Sequence, residues 1–231
     1  MLDDTIAAIA TPLGQGGLAI IRVSGENAVT VGDAVFRPPN GADDHLAKAN
    51  SHTIHYGHIV HGSQRIDEVM VSVMRAPATF TREDIVEINC HGGMQSTRAV
   101  LDAVLNAGAR LALPGEFTKR AFLHGRIDLA QAEAVADLIH ARTDLALNAA
   151  NEQLAGKLSQ RINQLRDDTM HVLAHVEAHI DFPDEDIEPD TMDGLLKRLE
   201  SAEAFIDQLL ATANEGQLVR KGIRVAIVGR P

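Results

Sequence analysis

Between Asp128 and Asp181 the chain holds no proline and a single glycine, Gly156. Proline removes a backbone donor and breaks helices, so a stretch this long without it is free to be helical throughout. Leu129, Ala132, Ala136 and Ile139 recur at steps of three and four. Leu154, Leu158, Ile162, Leu165, Met170 and Leu173 follow at close to the same spacing, which places each set on one helical stripe. The segment "DFPDEDIEPD" is a breaker, and Pro183 disfavours helix in the residue before it. A further amphipathic helix is expected from about Thr191 to Asn214, carrying Leu195, Leu199, Ala202, Ile206 and Leu209, with Gly216 just beyond. Two or three such helices make an antiparallel hairpin with apolar surface left over, an incomplete helical bundle.

Before residue 120 the pattern is different. "DTIAAIATP", "GLAIIRVSG", "DEVMVSVMRAP" and "EDIVEINCHGG" are strand-length, rich in β-branched residues and bounded by turn formers. Helix-like stretches lie at Glu26–Phe36 and Met94–Ala107, the latter closed by Gly108. The expected fold is therefore α+β: a mixed-sheet domain followed by the incomplete antiparallel α-helical bundle. Hydrophobic residues make up 45% of the chain but aromatic ones only 3%, so its cores must be built from Ala, Leu, Ile and Val. No apolar run approaches the ~20 residues that cross a membrane, and the opening residues do not read as a leader. One cysteine, Cys90, rules out an internal disulfide and suggests a cytoplasmic home. A net charge of −11 opposes unaided binding to nucleic acid.

Several positions are unusual for a purely structural chain. In "TPLGQGGLAIIRVSG" the glycines suggest a phosphate loop, but "LAIIRV" favours a strand where a dinucleotide loop needs a helix. Gly14–Gly17 is therefore read as a tight connection between strands, with a loop that closely approaches a ligand as the alternative. Arg22 shares a strand face with Leu18 and Ile20, and Glu87 interrupts Ile85, Val86 and Ile88. Charges on strands this apolar need partners. They can pair with each other, or both can grip a polar ligand. His91-Gly-Gly93 opens a helix, either as a turn that touches a ligand or as a glycine turn with a capping histidine. His52, His55, His58 and His61 alternate faces if they lie in a strand, and so cannot converge on a metal. His171, His175 and His179 share a helix face but lack the glutamate of an H-E-x-x-H motif. In "LPGEFTKRAFLHGRIDLAQAEAVADLI", Thr118, Lys119 and Arg120 are expected to precede a short helix, and Asp128 to cap the long one. The bases Lys119, Arg120 and Arg126 gather where the two regions meet; such a cluster is usually solvated, but a junction is also where ligand clefts form.

The final stretch, "KGIRVAIVGRP", reads as a buried strand over Val225 to Val228 followed by a turn. A strand without neighbours leaves its backbone groups unpaired, so the sequence is expected to be a fragment that runs into another domain. "DTIAAIATPLGQGGLAIIRVSG", "FTREDIVEINCHGG", "LPGEFTKRAFLHGRIDLAQAEAVADLI" and "IDFPDEDI" together resemble the MnmE (TrmE) family of tRNA-modification GTPases. The four segments come in the family's order and span the chain.

The resemblance implies three regions: residues 1–120 as a folate-binding and dimerisation domain, 121–216 as the first part of a helical domain, and 217–231 as the first strand and loop start of a GTPase domain. Gly229 matches the first glycine of G-x-x-x-x-G-K-[ST]; without the lysine and the Ser/Thr, this chain is expected to bind no GTP and to be inactive alone. In the full-length parent, GTP, magnesium and potassium would act in that GTPase domain. The first domain would bind 5-formyltetrahydrofolate or a related reduced folate and pair with itself as a homodimer. With a FAD-containing partner of the MnmG type, the parent would modify C5 of the wobble uridine, U34, of tRNA. Carried over residue by residue, Arg22, Glu87 and Arg126 are the cofactor-binding positions, with Arg126 standing where lysine is usual. No catalytic or metal residue is implied in this chain. Arg82 replaces the glycine usual in "TGED". The alternatives are a purely structural dimerisation module, in which Arg22 and Glu87 merely pair, and an aminomethyltransferase-like folate enzyme.

Overall fold

The computed structural model describes residues 4–41, 45–182, 192–221, 225–226 and 228–230. All four strand-like runs form strands: β1 (Ile6–Ile9), β2 (Ala19–Ser24), β5 (Gln64–Met74) and β6 (Ile85–Cys90). Short β3 (Phe36–Arg37), the histidine-bearing β4 (Thr53–His61) and short β7 (Arg110–Leu111) complete one seven-stranded sheet in the order β3-β4-β5-β6-β2-β1-β7. β7 joins β1 in parallel and the other pairs are antiparallel, so the sheet is mixed as expected.

Helices α1 (Ala28–Val35) and α2 (Met94–Asn106) touch each other and cover one face of this sheet. Because side chains alternate along a strand, that face takes Ile21, Val23, Val71, Val73, Val86 and Ile88, all fully buried. Burial of each such side chain stabilises the fold by about 1.5–3 kcal/mol. The intervening residues Ile20, Arg22, Ser72 and Glu87 lie on the other face and are only half-buried. One face is a core and the other is open.

The chain divides into two compact units, Met1–Ile127 and Asp128–Pro231. A short helix, α3 (Glu116–Leu123), closes the first. It contains Thr118, Lys119 and Arg120, which had been expected just ahead of a helix. Glu116 starts it one turn earlier because its carboxylate accepts the Leu113 N–H at 2.7 Å.

In the second unit the expected continuous helix is broken into α4 (Leu129–His140), α5 (Asp144–Leu154) and α6 (Lys157–Asp181). Asp128 caps α4 as expected, in a reciprocal capping box with Gln131 at 2.8 and 2.9 Å. The first break is set by Thr143, whose Oγ1 accepts the Ala146 N–H at 3.1 Å and starts a new helix. The second is Gly156, at φ +79°, the left-handed conformation that glycine adopts without strain after a helix. Gln131 Nε2 donates to Leu154 O and Gln153 Nε2 to Ala130 O, both at 2.9 Å, so α4 and α5 run antiparallel. The second break falls at the one weak point of the stretch, Gly156, whereas periodicity gives no sign of the first, which needs no proline.

Helix α7 (Met192–Lys221) packs on α6, with Arg198 Nη1 3.6 Å from Asp168 Oδ1. It runs through Gly216, where an end was expected; a glycine inside a helix costs about 1 kcal/mol relative to alanine, too little to stop it. The breaker segment around Pro183 lies outside the described residues. Of the expected terminal strand, Val225, Ala226 and Val228 belong to no strand, and Val225 and Val228 are 79% and 89% exposed. Among the described residues no strand lies alongside them for an extended pairing to form against. Among the described residues no helix is long and apolar enough to cross a membrane.

Candidate functional site

The open face of the sheet carries a row of cross-strand neighbours, Ala8, Arg22, Glu87, Ser72 and Ile54, contributed by β1, β2, β6, β5 and β4. Arg22 and Glu87 are direct partners in the β2–β6 register, and Arg22 Nε donates to Glu87 Oε1 at 2.7 Å. Of the two arrangements open from sequence, these side chains pair with each other. They are not deeply buried: 34% of the Arg22 side chain and 22% of that of Glu87 remain exposed. At that exposure water screens the attraction, and an ion pair contributes only about 0–1 kcal/mol. The pair is therefore a weak reason for the fold to keep two charges here.

Phe117, from α3, lies against the arginine with its ring centroid 5.8 Å from Arg22 Cζ, within reach of cation–π attraction. Arg126, the third expected site residue, contacts neither Arg22 nor Glu87. Its Nη1 donates to Thr79 O at 2.9 Å and its guanidinium sits 5.1 Å over the Phe80 ring. Two arginines thus each rest on a phenylalanine, a role in which lysine is a poor substitute. Neither Phe80 nor Phe117 stood out in the sequence, because an aromatic residue on a half-exposed helix or turn gives no periodic signal.

Of the basic residues at the junction, Lys119 and Arg126 are exposed as expected, but Arg120 departs from the expectation. Arg120 is not solvated; it is fully buried. Its Nη1 donates to Glu83 Oε1 at 2.9 Å and to Asp4 O at 2.7 Å, and its Nη2 to Asp4 Oδ1 at 2.6 Å and Glu116 Oε1 at 3.3 Å. Nε has no partner among the described residues. Burial works against the charge, but Glu83, Asp4 and Glu116 outweigh it and hold the guanidinium protonated. Arg110 clamps the same acids from outside, 2.7 Å from both Asp4 and Glu116. Chiefly through that hydrogen bond, Glu116 is pulled down to about 2. The one sequence signal for this hub was the Glu116–Arg120 spacing of four on a helix.

His91 does not cap α2. Gly93 is the N-cap residue and makes no side-chain cap bond. His91 turns back instead, its Nδ1 2.7 Å from Asp67 Oδ1, while Asp67 Oδ2 accepts from His91 N at 2.8 Å and Ser96 Oγ at 2.7 Å. The loop Gly14–Gly17 joins β1 to β2, as read from sequence, and Gly16 N donates to Gly92 O at 3.2 Å. A side chain at Gly92 would put its Cβ 2.5 Å from Gly16 O, so the two loops require glycine to meet. Arg82 sits at φ +60°, a left-handed position that favours glycine. Burial, with the nearby Asp67 charge, pushes the Cys90 thiol up to about 11.

Among the described residues no three His, Cys, Asp or Glu side chains are placed to hold a metal ion. A groove of about 510 Å³ lies in the other unit, between α6 and α7, where Arg161, Lys197 and Arg198 border Leu165 and Phe205. The Asp168–Arg198 pair that borders it, at 3.6 Å, is longer and more exposed than Arg22–Glu87, and the sheet row remains the candidate site.

These features define a class: an α+β unit with helices on one sheet face and an arginine–glutamate pair on the other, with Phe117 against the arginine, followed by an all-helical unit. Residues 5–126 match the family described as "GTP-binding protein TrmE N-terminus", and residues 129–224 match "MnmE helical domain". The chain belongs to the MnmE (TrmE) family. It is 55% identical over 231 residues to the tRNA modification GTPase MnmE of Geobacillus thermodenitrificans, covering 99% of this chain and 50% of that protein. It is 56% identical over 231 residues to the protein of the same name from Enterococcus faecalis, covering 99% and 49% respectively. The chain thus spans about half the length of the relatives it matches.

Proposed function

We propose that this chain is the N-terminal and helical portion of a tRNA-modification GTPase, and that its first unit binds a reduced folate of the 5-formyltetrahydrofolate type. The observation that carries this is the Arg22–Glu87 pair on the open sheet face with Phe117 beside it. A carboxylate accepts hydrogen bonds at several lone pairs, and Arg22 occupies only part of that capacity. Glu87 is therefore suited to receive the paired amino and ring N–H groups of a pterin, and Phe117 to stack on its ring. Arg22 and Arg126 supply positive charge for ring carbonyls or the anionic glutamate tail. Bound there, the folate would supply a one-carbon unit; these residues orient it.

In the full-length parent, a GTPase domain using GTP, magnesium and potassium and an MnmG-type FAD partner would direct that unit to C5 of U34 in tRNA. Self-pairing of the first unit is supported by Ile54, Tyr56 and Met70, which are 67%, 52% and 51% exposed on the same open face. The proposed regions and the cytoplasmic location stand with this reading.

Calorimetry with 5-formyltetrahydrofolate tests it. The folded chain should bind, and Glu87→Gln should weaken binding by about tenfold, one lost charged hydrogen-bond pair. Absence of binding by folded protein sinks the folate reading and leaves a structural dimerisation module.

A further inference from the structure

We propose that Arg120 is the positioning residue of this site: it does not touch the ligand but sets where Phe117 and Phe80 stand. The inference rests on the folate reading for its function and on independent geometry for its mechanism. A fully buried guanidinium is costly, and apolar residues of similar volume usually serve stability as well. What an apolar residue cannot do is fix direction. Arg120 bonds three separate segments at once: Asp4 ahead of β1, Glu83 in the turn ahead of β6, and Glu116 on its own helix.

Each of these segments leads to the site. Phe117, one turn before Arg120 on α3, carries the ring that meets Arg22. The turn that holds Glu83 also holds Thr79 and Phe80, the two contacts of Arg126, and continues into the strand of Glu87. Ser24, two residues beyond Arg22 on β2, donates to Glu83 Oε2 at 2.7 Å and lies 2.6 Å from Thr81 Oγ1. α3 cannot be held by apolar packing alone, since only Arg120 and Ala121 on it are buried. The fork of one side chain therefore registers the helix that bears Phe117 against the turn that bears Phe80. Lysine, a point charge on a flexible stem, cannot reproduce that fork.

The test uses Arg120→Lys, with phenylalanine labelled by fluorine and the signals assigned by Phe117→Leu and Phe80→Leu. The folded variant should show displaced or broadened Phe117 and Phe80 signals, an unmoved Phe36 signal from the core, and 5-formyltetrahydrofolate affinity lowered about tenfold, the cost of lost preorganisation. Unchanged Phe117 and Phe80 signals overturn the inference, as does full affinity despite moved signals. Uniform changes including Phe36 show a merely structural role and also overturn it. Should Arg120→Lys fail to fold, Glu83→Gln removes one arm of the hub and is judged by the same signals and affinity. Failure of the wild-type chain to bind folate sinks the proposed function instead, while the fluorine signals still decide whether Arg120 positions the two rings.

Discussion

At the scale of single residues, the charged side chains differ in how much the fold depends on them. Arg22 and Glu87 pair where water still reaches them, so Arg22→Ala should lower stability by only about 0–1 kcal/mol while abolishing most folate affinity. A denaturant titration showing a loss of about 3–5 kcal/mol, the penalty for breaking a buried pair, would favour the structural module. Glu116 behaves differently. Its carboxyl is held at about 2 in the folded chain against an ordinary 4.5, chiefly by Arg110. A carboxyl whose pKa is depressed by folding contributes its stabilisation above the unfolded value and loses it as pH falls toward the folded one. The melting temperature should therefore drop between pH 4.5 and about 2, and Glu116→Gln should flatten that drop. A slope unchanged by the substitution would assign the acid sensitivity elsewhere. Cys90, buried with its thiol at about 11, should resist thiol reagents until the chain unfolds.

At the scale of elements, the sheet's two faces give opposite expectations for adjacent residues. Ile21→Ala, on the helix-covered face, should cost about 2–5 kcal/mol through the cavity it leaves. Its neighbour Ile20 is half-buried on the open face, and Ile20→Ala should cost clearly less in the same chemical denaturation experiment. Much of this level was legible beforehand: the four strand runs, α1, α2 and the Asp128 cap all have local causes. The division of the long helical stretch was legible only at Gly156, its one weak point. Thr143 starts α5 through one side-chain bond, and Gly156 ends it by adopting a conformation that glycine can also leave unused.

At the scale of the whole molecule, the two units differ in how much they bury. The first holds a continuous apolar core against the sheet, whereas the described part of the second buries few side chains, among them Ala134, Ala150, Val172 and Leu195. Leu129, Ile139 and Ile180 on its helices remain 71%, 74% and 71% exposed. Opening free energy follows buried apolar contact, so amides of α6 and α7 should exchange with solvent well before those of β2 and β6. Equal protection in hydrogen-exchange measurements would show that the helical unit is held by something other than its own packing.

By itself the sequence determined the class of fold and the family, because strand alternation, helical periodicity and turn residues act over a few positions and leave their mark in letter order. It also marked Arg22 and Glu87 as unusual, since a charge in an apolar run is visible without knowing its surroundings. Only the tertiary structure decided which face of the sheet is open, that those two side chains meet, that Arg126 rests on Phe80, and that Arg120 is a buried hub. Each of these depends on segments far apart in the chain arriving at one place, and burial and ion pairing are properties of that arrival.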